Sequence, residues 1–188
     1  LSGCDNVCNS TAVEDCAGVC GGTGVEDCAG LCDGTAVEDC AGLCFGTSVL
    51  LNDVCYLYDI DGNVYETVQI GGQLWMAENL KVTRYRNGNA IPTGYSNSEW
   101  VNLSSDAYAV YDDDPANADT YGNLYNWYAV GDSRGVCPDG WHVPSDYEYT
   151  VLIDYLGGES VAGGNMKEAS LDHWNSPITG ANKDRTSV

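Results

Sequence analysis

Three successive blocks of twelve residues, NSTAVEDCAGVC (9–20), GGTGVEDCAGLC (21–32) and DGTAVEDCAGLC (33–44), make the first quarter of the chain an internal repeat. A fixed period of this kind means that each unit touches only its neighbours and that the segment grows by stacking. Cysteines fall at Cys4, Cys8, Cys16, Cys20, Cys28, Cys32, Cys40 and Cys44 as four C-x-x-x-C pairs, and threonine recurs at Thr11, Thr23, Thr35 and Thr47. Apart from the Val or Leu between its cysteines, each unit offers one sizeable apolar side chain, Val13, Val25 or Val37. That is too little buried area to offset chain entropy. Disulfides must supply the remainder, and the segment reads as a narrow, loop-rich stalk over residues 1–55. Spacing alone leaves the pairing open, since ten cysteines allow about 945 connectivities; links between sequence-adjacent cysteines are expected.

Charge and cysteine placement narrow the setting. The 188 residues carry 28 Asp+Glu against 7 Lys+Arg, a net charge of -21. Phosphate contacts need Lys or Arg at the interface, so a nucleic acid or an anionic membrane surface is not an expected partner. No apolar stretch approaches the roughly 20 residues of a membrane span, and no membrane insertion is expected. Leu1 is followed by neither a basic nor a long apolar region, so a secretion signal is expected to be removed or to lie outside this sequence. Nine of the ten cysteines fall in the first 55 residues, a local staple that points to an extracellular or cell-surface location.

From Tyr56 onward aromatics become frequent and a folded α+β domain, 56–188, is expected. Tyr56–Ile60 and Val64–Ile70 flank Asp61-Gly62-Asn63, which predicts a strand, turn, strand hairpin. Asp59, Asp61 and Asn63 suggest a calcium loop, but position 70, where a ligating Glu would stand, is Ile, and the turn reading is preferred. Ser145 and Glu148 form a capping box. The helix that follows places Tyr149, Leu152, Ile153 and Leu156 on one face and ends at Gly157-Gly158. A shorter helix is expected over 161–168.

The stretches DIDGNVYETVQIGGQLWMAENLKVTRYRNG (59–88), YGNLYNWYAV (121–130), CPDGWHVPSDYEY (137–149) and YLGGESVAGGNMKE (155–168) closely resemble the Fibrobacter succinogenes major paralogous domain, over residues 56–182. The resemblance implies a secreted bacterial protein and no established chemistry. The repeats resemble the Cys-rich tandem repeats of large bacterial surface proteins. The G-W-H-V-P-S-D step before a helix is similar to an element of C-type-lectin-like and formylglycine-generating-enzyme-like folds, an analogy of fold alone. Where the family has Trp after Glu in that helix, this chain has Tyr149. Family members continue past a G-A-T-N-like step into a second half, whereas this chain reads GANKDRTSV; a truncated end or strands supplied by another chain are the expectations.

Candidate chemistry is sparse. No G-x-S-x-G, H-E-x-x-H or phosphate-cradling glycine loop occurs, and no enzymatic activity is expected. Cys137 and His142 could form a thiol and base, but if the stalk cysteines pair among themselves, Cys55 and Cys137 remain to join each other, and that disulfide is preferred. Zinc at the C-x-x-x-C pairs lacks the usual tighter spacing and a nearby His. Calcium has candidates in the Glu-Asp pairs at 14/15, 26/27 and 38/39 and in Asp112, Asp113, Asp114 and Asp119, with a solvated face preferred. Asn9 and Asn102 head N-glycosylation sequons, and the four repeat threonines, flanked by small residues, are candidates for O-linked sugar. Trp75, Trp100, Trp127, Trp141 and Trp174 are expected mostly in the interior, with exposed ones able to stack on sugars. The preferred reading is an extracellular structural subunit that assembles with copies of itself and requires no cofactor; the alternative is a carbohydrate-binding or adhesion module on a stalk.

Overall fold

The computed structural model describes residues 3–7 and 9–167. The chain divides into two units, Leu1–Leu50 and Leu51–Val188. Cys8, Trp174 and the GANKDRTSV segment lie outside the described residues.

In the first unit an aspartate builds each repeat. The Asp15 N–H donates to the Val19 carbonyl and the Gly18 N–H returns to the Asp15 carbonyl at 2.9 Å. Gly18 sits at φ +76°, a conformation that costs an L side chain about 1–2 kcal/mol. The Asp15 carboxylate then accepts the N–H groups of Ala17 and Val19 on Oδ1 and that of Gly24 on Oδ2. Asp27 repeats this with Ala29, Leu31 and Ala36, and Asp39 with Ala41, Leu43 and Ser48. Antiparallel bridges Glu14↔Cys20, Glu26↔Cys32 and Glu38↔Cys44 close each unit. Val13, Val25 and Val37 are 74, 72 and 77 % exposed, so the repeats have no oily interior.

The disulfides correct the expected pairing. Cys4 joins Cys20, Cys16 joins Cys32 and Cys28 joins Cys44, each across 16 residues, with Cα–Cα distances of 5.5, 5.3 and 5.4 Å. Sequence-adjacent cysteines such as Cys16 and Cys20 already flank a turn that hydrogen bonds close, so a bond between them would constrain little. A 16-residue loop removes more denatured-state entropy than a four-residue one, by about 1 kcal/mol on a loop-closure scaling. Cys40 and Cys55 are also disulfide-bonded. Cys137 carries a free, half-buried thiol, so the expected Cys55–Cys137 link is absent.

The second unit is a mixed α/β domain with small antiparallel sheets. After a short strand β1 (Val49–Leu51), β2 (Val54–Tyr58), β3 (Val64–Ile70) and β4 (Gln73–Met76) form a meander. Tyr56 lies opposite Glu66 and Tyr58 opposite Val64, and beyond the Gly71-Gly72 turn Ile70 faces Gln73. The expected hairpin is therefore present, with the third strand unforeseen. A second pair, β5 (Tyr108–Ala109) and β6 (Leu124–Tyr125), matches Tyr108 to Tyr125. Helices are short: α1 (Asn97–Trp100), α2 (Asn117–Tyr121), α3 (Trp127–Val130), α4 (Asp146–Tyr155) and α5 (Glu159–Asn165). α4 starts at the capping box read from the sequence, and Gly157 at φ +99° follows its end. Leu152 on its predicted face is buried, while Tyr149 packs its ring 5.5 Å from that of Trp75. α5 begins two residues before the helix expected at 161.

The core lies among irregular segments. Val82, Tyr85, Ile91, Ala129 and Val136 form it, with Leu80, Tyr108, Tyr125 and Cys137 packed against it. Asparagines satisfy the backbone these segments leave unpaired. Asn123 donates to the carbonyls of Lys81 and Val82, and Asn126 accepts from Ala107 and Ala129 while donating to Ser105. Such closure is required because a buried unpaired amide costs about 1–3 kcal/mol. Among the described residues the fully buried aromatics are Tyr65 and Tyr85; Trp75, Trp100 and Trp141 are only partly buried and Trp127 is 78 % exposed.

Candidate functional site

The repeat face is the most regular surface. Thr11, Thr23, Thr35 and Thr47 are all exposed. The residue before each of the last three is a glycine, and in each case geometry demands it: a Cβ on Gly22, Gly34 or Gly46 would collide with the carboxylate of Asp15, Asp27 or Asp39. The aspartate that builds the turn thus also strips bulk from beside the threonine. The position one residue earlier is left-handed throughout, as Asn9, Gly21, Asp33 and Phe45. Asn9 is exposed, and Asn102 is exposed with its amide donated to the Ser98 carbonyl at 2.7 Å.

Of the Glu-Asp pairs in the repeats, the aspartates are committed to backbone, while Glu14, Glu26 and Glu38 are exposed. The N–H groups of Val19 and Gly24 hold Asp15 below the ordinary carboxylate range, and those of Leu31 and Ala36 do the same for Asp27. At Asp39 burial pushes upward, but the N–H groups of Leu43 and Ser48 more than offset it. Among the described residues no three His, Cys, Asp or Glu side chains are grouped to hold a metal ion. Asp112, Asp113 and Asp114 are exposed, Asp114 accepts the Ala116 N–H, and Asp119 faces Lys81 at 3.7 Å. Asp59 is likewise saturated: it accepts from Asp61 and Asn63 backbone, the Asn63 amide and the Tyr65 hydroxyl.

In the domain, the Arg134 cluster went unread in the sequence, and so did the contact of His142 with the Ser145–Glu148 cap. Arg134 lies 3.9 Å from the Tyr85 ring centroid, its Nη2 donating to Asp106 at 2.8 Å and to Asp132 at 2.7 Å, while the Tyr85 hydroxyl donates to Asp106 at 2.7 Å. Arg134 draws the Asp132 pKa down to about 2, and burial followed by the Asp106 bond raises that of Tyr85. Around α4, the Ser145 N–H and hydroxyl and the His142 ring hold Glu148 at about 2. His142 is thus engaged by Glu148, and burial pushes the Cys137 thiol upward despite Arg86. A readable signal existed for part of this: D-x-x-G spacing, seen at Asp15–Gly18, recurs at Asp59–Gly62 and Asp132–Gly135 with the same Gly N–H to Asp carbonyl bond. Ring stacking and the long-range Asp106 contact have no local signature.

Several exposed aromatics lie on helices, Trp127 and Tyr128 on α3, Tyr147, Tyr149 and Tyr155 on α4 and Tyr121 on α2, while Phe45, Tyr58 and Tyr111 are exposed elsewhere. No helix among the described residues is long and apolar enough to cross a membrane.

Comparison with curated proteins and with solved structures finds no match to the chain. The sequence model of the Fibrobacter succinogenes major domain does match, over residues 68–186. That span starts within β3 and takes in the Tyr85–Arg134 core, the asparagine-stapled segments and α4. Because it covers more than half of the 188 residues, the chain belongs to the Fibrobacter succinogenes major domain family.

Proposed function

We propose that this protein is an extracellular structural subunit, a disulfide-built spacer bearing a family domain, which joins copies of itself into a filament or cell-surface appendage. One observation carries the reading: the repeats hold their form through staggered disulfides and aspartate-closed turns while their valines stay exposed. That construction suits an oxidising exterior and gives length rather than a ligand cavity. Family membership supports a surface location. β4, at an edge of its meander, offers backbone for strand addition by a neighbour. The repeat threonines are targets for O-linked sugar, and Asn9 and Asn102 for N-linked sugar. The helix α4 after the G-W-H-V-P-S-D step supports a C-type-lectin-like arrangement. Neither catalysis nor a cofactor is part of this reading.

Electron microscopy of the native material tests it. Filaments with sugar density along the repeats are the expected result, and a monodisperse monomer under native conditions would overturn assembly. A second reading, a carbohydrate-binding or adhesion module, is favoured by Trp127, a residue 78 % exposed on a four-residue helix. Glycan-array binding lost in Trp127→Ala would establish that alternative.

A further inference from the structure

The Cys4–Cys20, Cys16–Cys32 and Cys28–Cys44 disulfides each join the first cysteine of one C-x-x-x-C pair to the second cysteine of the next pair. The loops 4–20, 16–32 and 28–44 therefore overlap at 16–20 and at 28–32. Tension along a cross-linked chain follows the shortest covalent route. From Cys4 that route crosses to Cys20, runs along backbone to Cys28 and crosses to Cys44. The two crossings span 5.5 and 5.4 Å. With about 3.5 Å per extended residue, the whole route reaches only about 40 Å. The same segment without cross-links extends to about 140 Å, and with sequence-adjacent pairing it would reach about 105 Å.

We propose that the repeat array is a low-extensibility, fault-tolerant tether, a mechanical element whose length under load is set by disulfide stagger. Fault tolerance follows from the overlap. Losing Cys16–Cys32 leaves the shortest route untouched. Losing Cys4–Cys20 or Cys28–Cys44 diverts it through Cys16–Cys32 and lengthens it to about 67 Å, still half the uncross-linked value. No core has to rupture before the covalent limit is met, since the valines are exposed. Reduction of the disulfides to thiols by an added thiol or phosphine reductant, which is itself oxidised, releases the stored length.

The inference rests on the spacer reading for its biological meaning, while its test depends on connectivity alone. Full-length chain held by peptide handles at both termini is pulled in a single-molecule instrument, without reductant. Relative to the unmutated chain, the Cys4→Ser/Cys20→Ser variant lengthens by about 20–30 Å at full extension and the Cys16→Ser/Cys32→Ser variant does not lengthen. A phosphine reductant lengthens the unmutated chain by about 100 Å or more. Equal lengthening in the two variants would overturn the staggered route. Non-reducing peptide mapping of each variant reads the surviving pairs, and re-pairing of the remaining cysteines would overturn fault tolerance. Absence of filaments in micrographs would sink the assembly proposal and leave these lengths unchanged.

Discussion

Asp27 reaches beyond its own turn to Ala36, whose N–H its Oδ2 accepts at 3.0 Å while Oδ1 accepts from Ala29 and Leu31. One carboxylate thus shapes a turn and ties it to the chain entering the next repeat. Asp27→Ala removes all three acceptors at once. Amide hydrogen exchange at Ala29, Leu31 and Ala36 is expected to accelerate most, with Ala41, Leu43 and Ser48 less affected because Asp39 itself supplies their acceptor. Uniform acceleration across the array would show that the carboxylate has no local role.

Acid should loosen the protein through the same groups. Asp15, Asp27 and Asp39 are held below the ordinary value of 3.8, and Asp132 and Glu148 fall to about 2. A folded pKa below the unfolded one contributes stability that is fully present above the unfolded value and lost as pH falls through the folded one. The window therefore runs from about pH 4.5 down to about pH 2. Relief of repulsion among 28 acidic residues acts the other way. The discriminating measurement is the pH slope of thermal stability, which the Asp15→Asn/Asp27→Asn/Asp39→Asn variant flattens below pH 4.5.

Adjacent glycines differ in why they are needed. Gly21 lies at φ +70° with open space around a notional Cβ, whereas Gly22 is shadowed by the Asp15 carboxylate. Gly21→Ala is expected to cost about 1 kcal/mol from backbone conformation alone. Gly22→Ala costs more, because the carboxylate must leave its three donors. Phe45 occupies the left-handed position in its own repeat at φ +61° and is 73 % exposed, so Phe45→Gly gains about 0.5–1 kcal/mol. Denaturant midpoints of the three variants rank them.

Tyr85 is fully buried and donates to Asp106, which also receives Arg134. Tyr85→Phe keeps the ring under Arg134 and removes only the hydroxyl bond to a charged acceptor, a loss of about 1.5–3 kcal/mol. Equilibrium unfolding reads the value, and a change below about 0.5 kcal/mol would mean that water replaces the hydroxyl without cost.

Cys137 should be the slow thiol of the folded chain. Burial raises its pKa, so the thiolate fraction at pH 8 is small and alkylation by iodoacetamide is retarded. Peptide mapping after native labelling is expected to find little label on Cys137, with a large increase after denaturation. Label on Cys16, Cys28 or Cys32 under either condition would contradict the disulfides.

What the sequence determined follows from short-range chemistry. The period of the repeat, the dependence on sulfur, the Asp61-Gly62 turn and the Ser145–Glu148 cap all rest on residues within a few positions of each other, where backbone geometry leaves few options. Family membership was legible for the same reason, through contiguous motifs. Tertiary structure decided which cysteines meet, because spacing permits many pairings: Cys4 meets Cys20 across the Asp15 turn, and Cys137 stays unpaired in the other unit. It also decided that Tyr65 and Tyr85, rather than Trp75, Trp100, Trp127 and Trp141, fill the interior of the described residues, and that Asp106 and Arg134 meet across 28 residues. Those outcomes depend on packing between distant segments, and distance along a chain carries no local sign of distance in space.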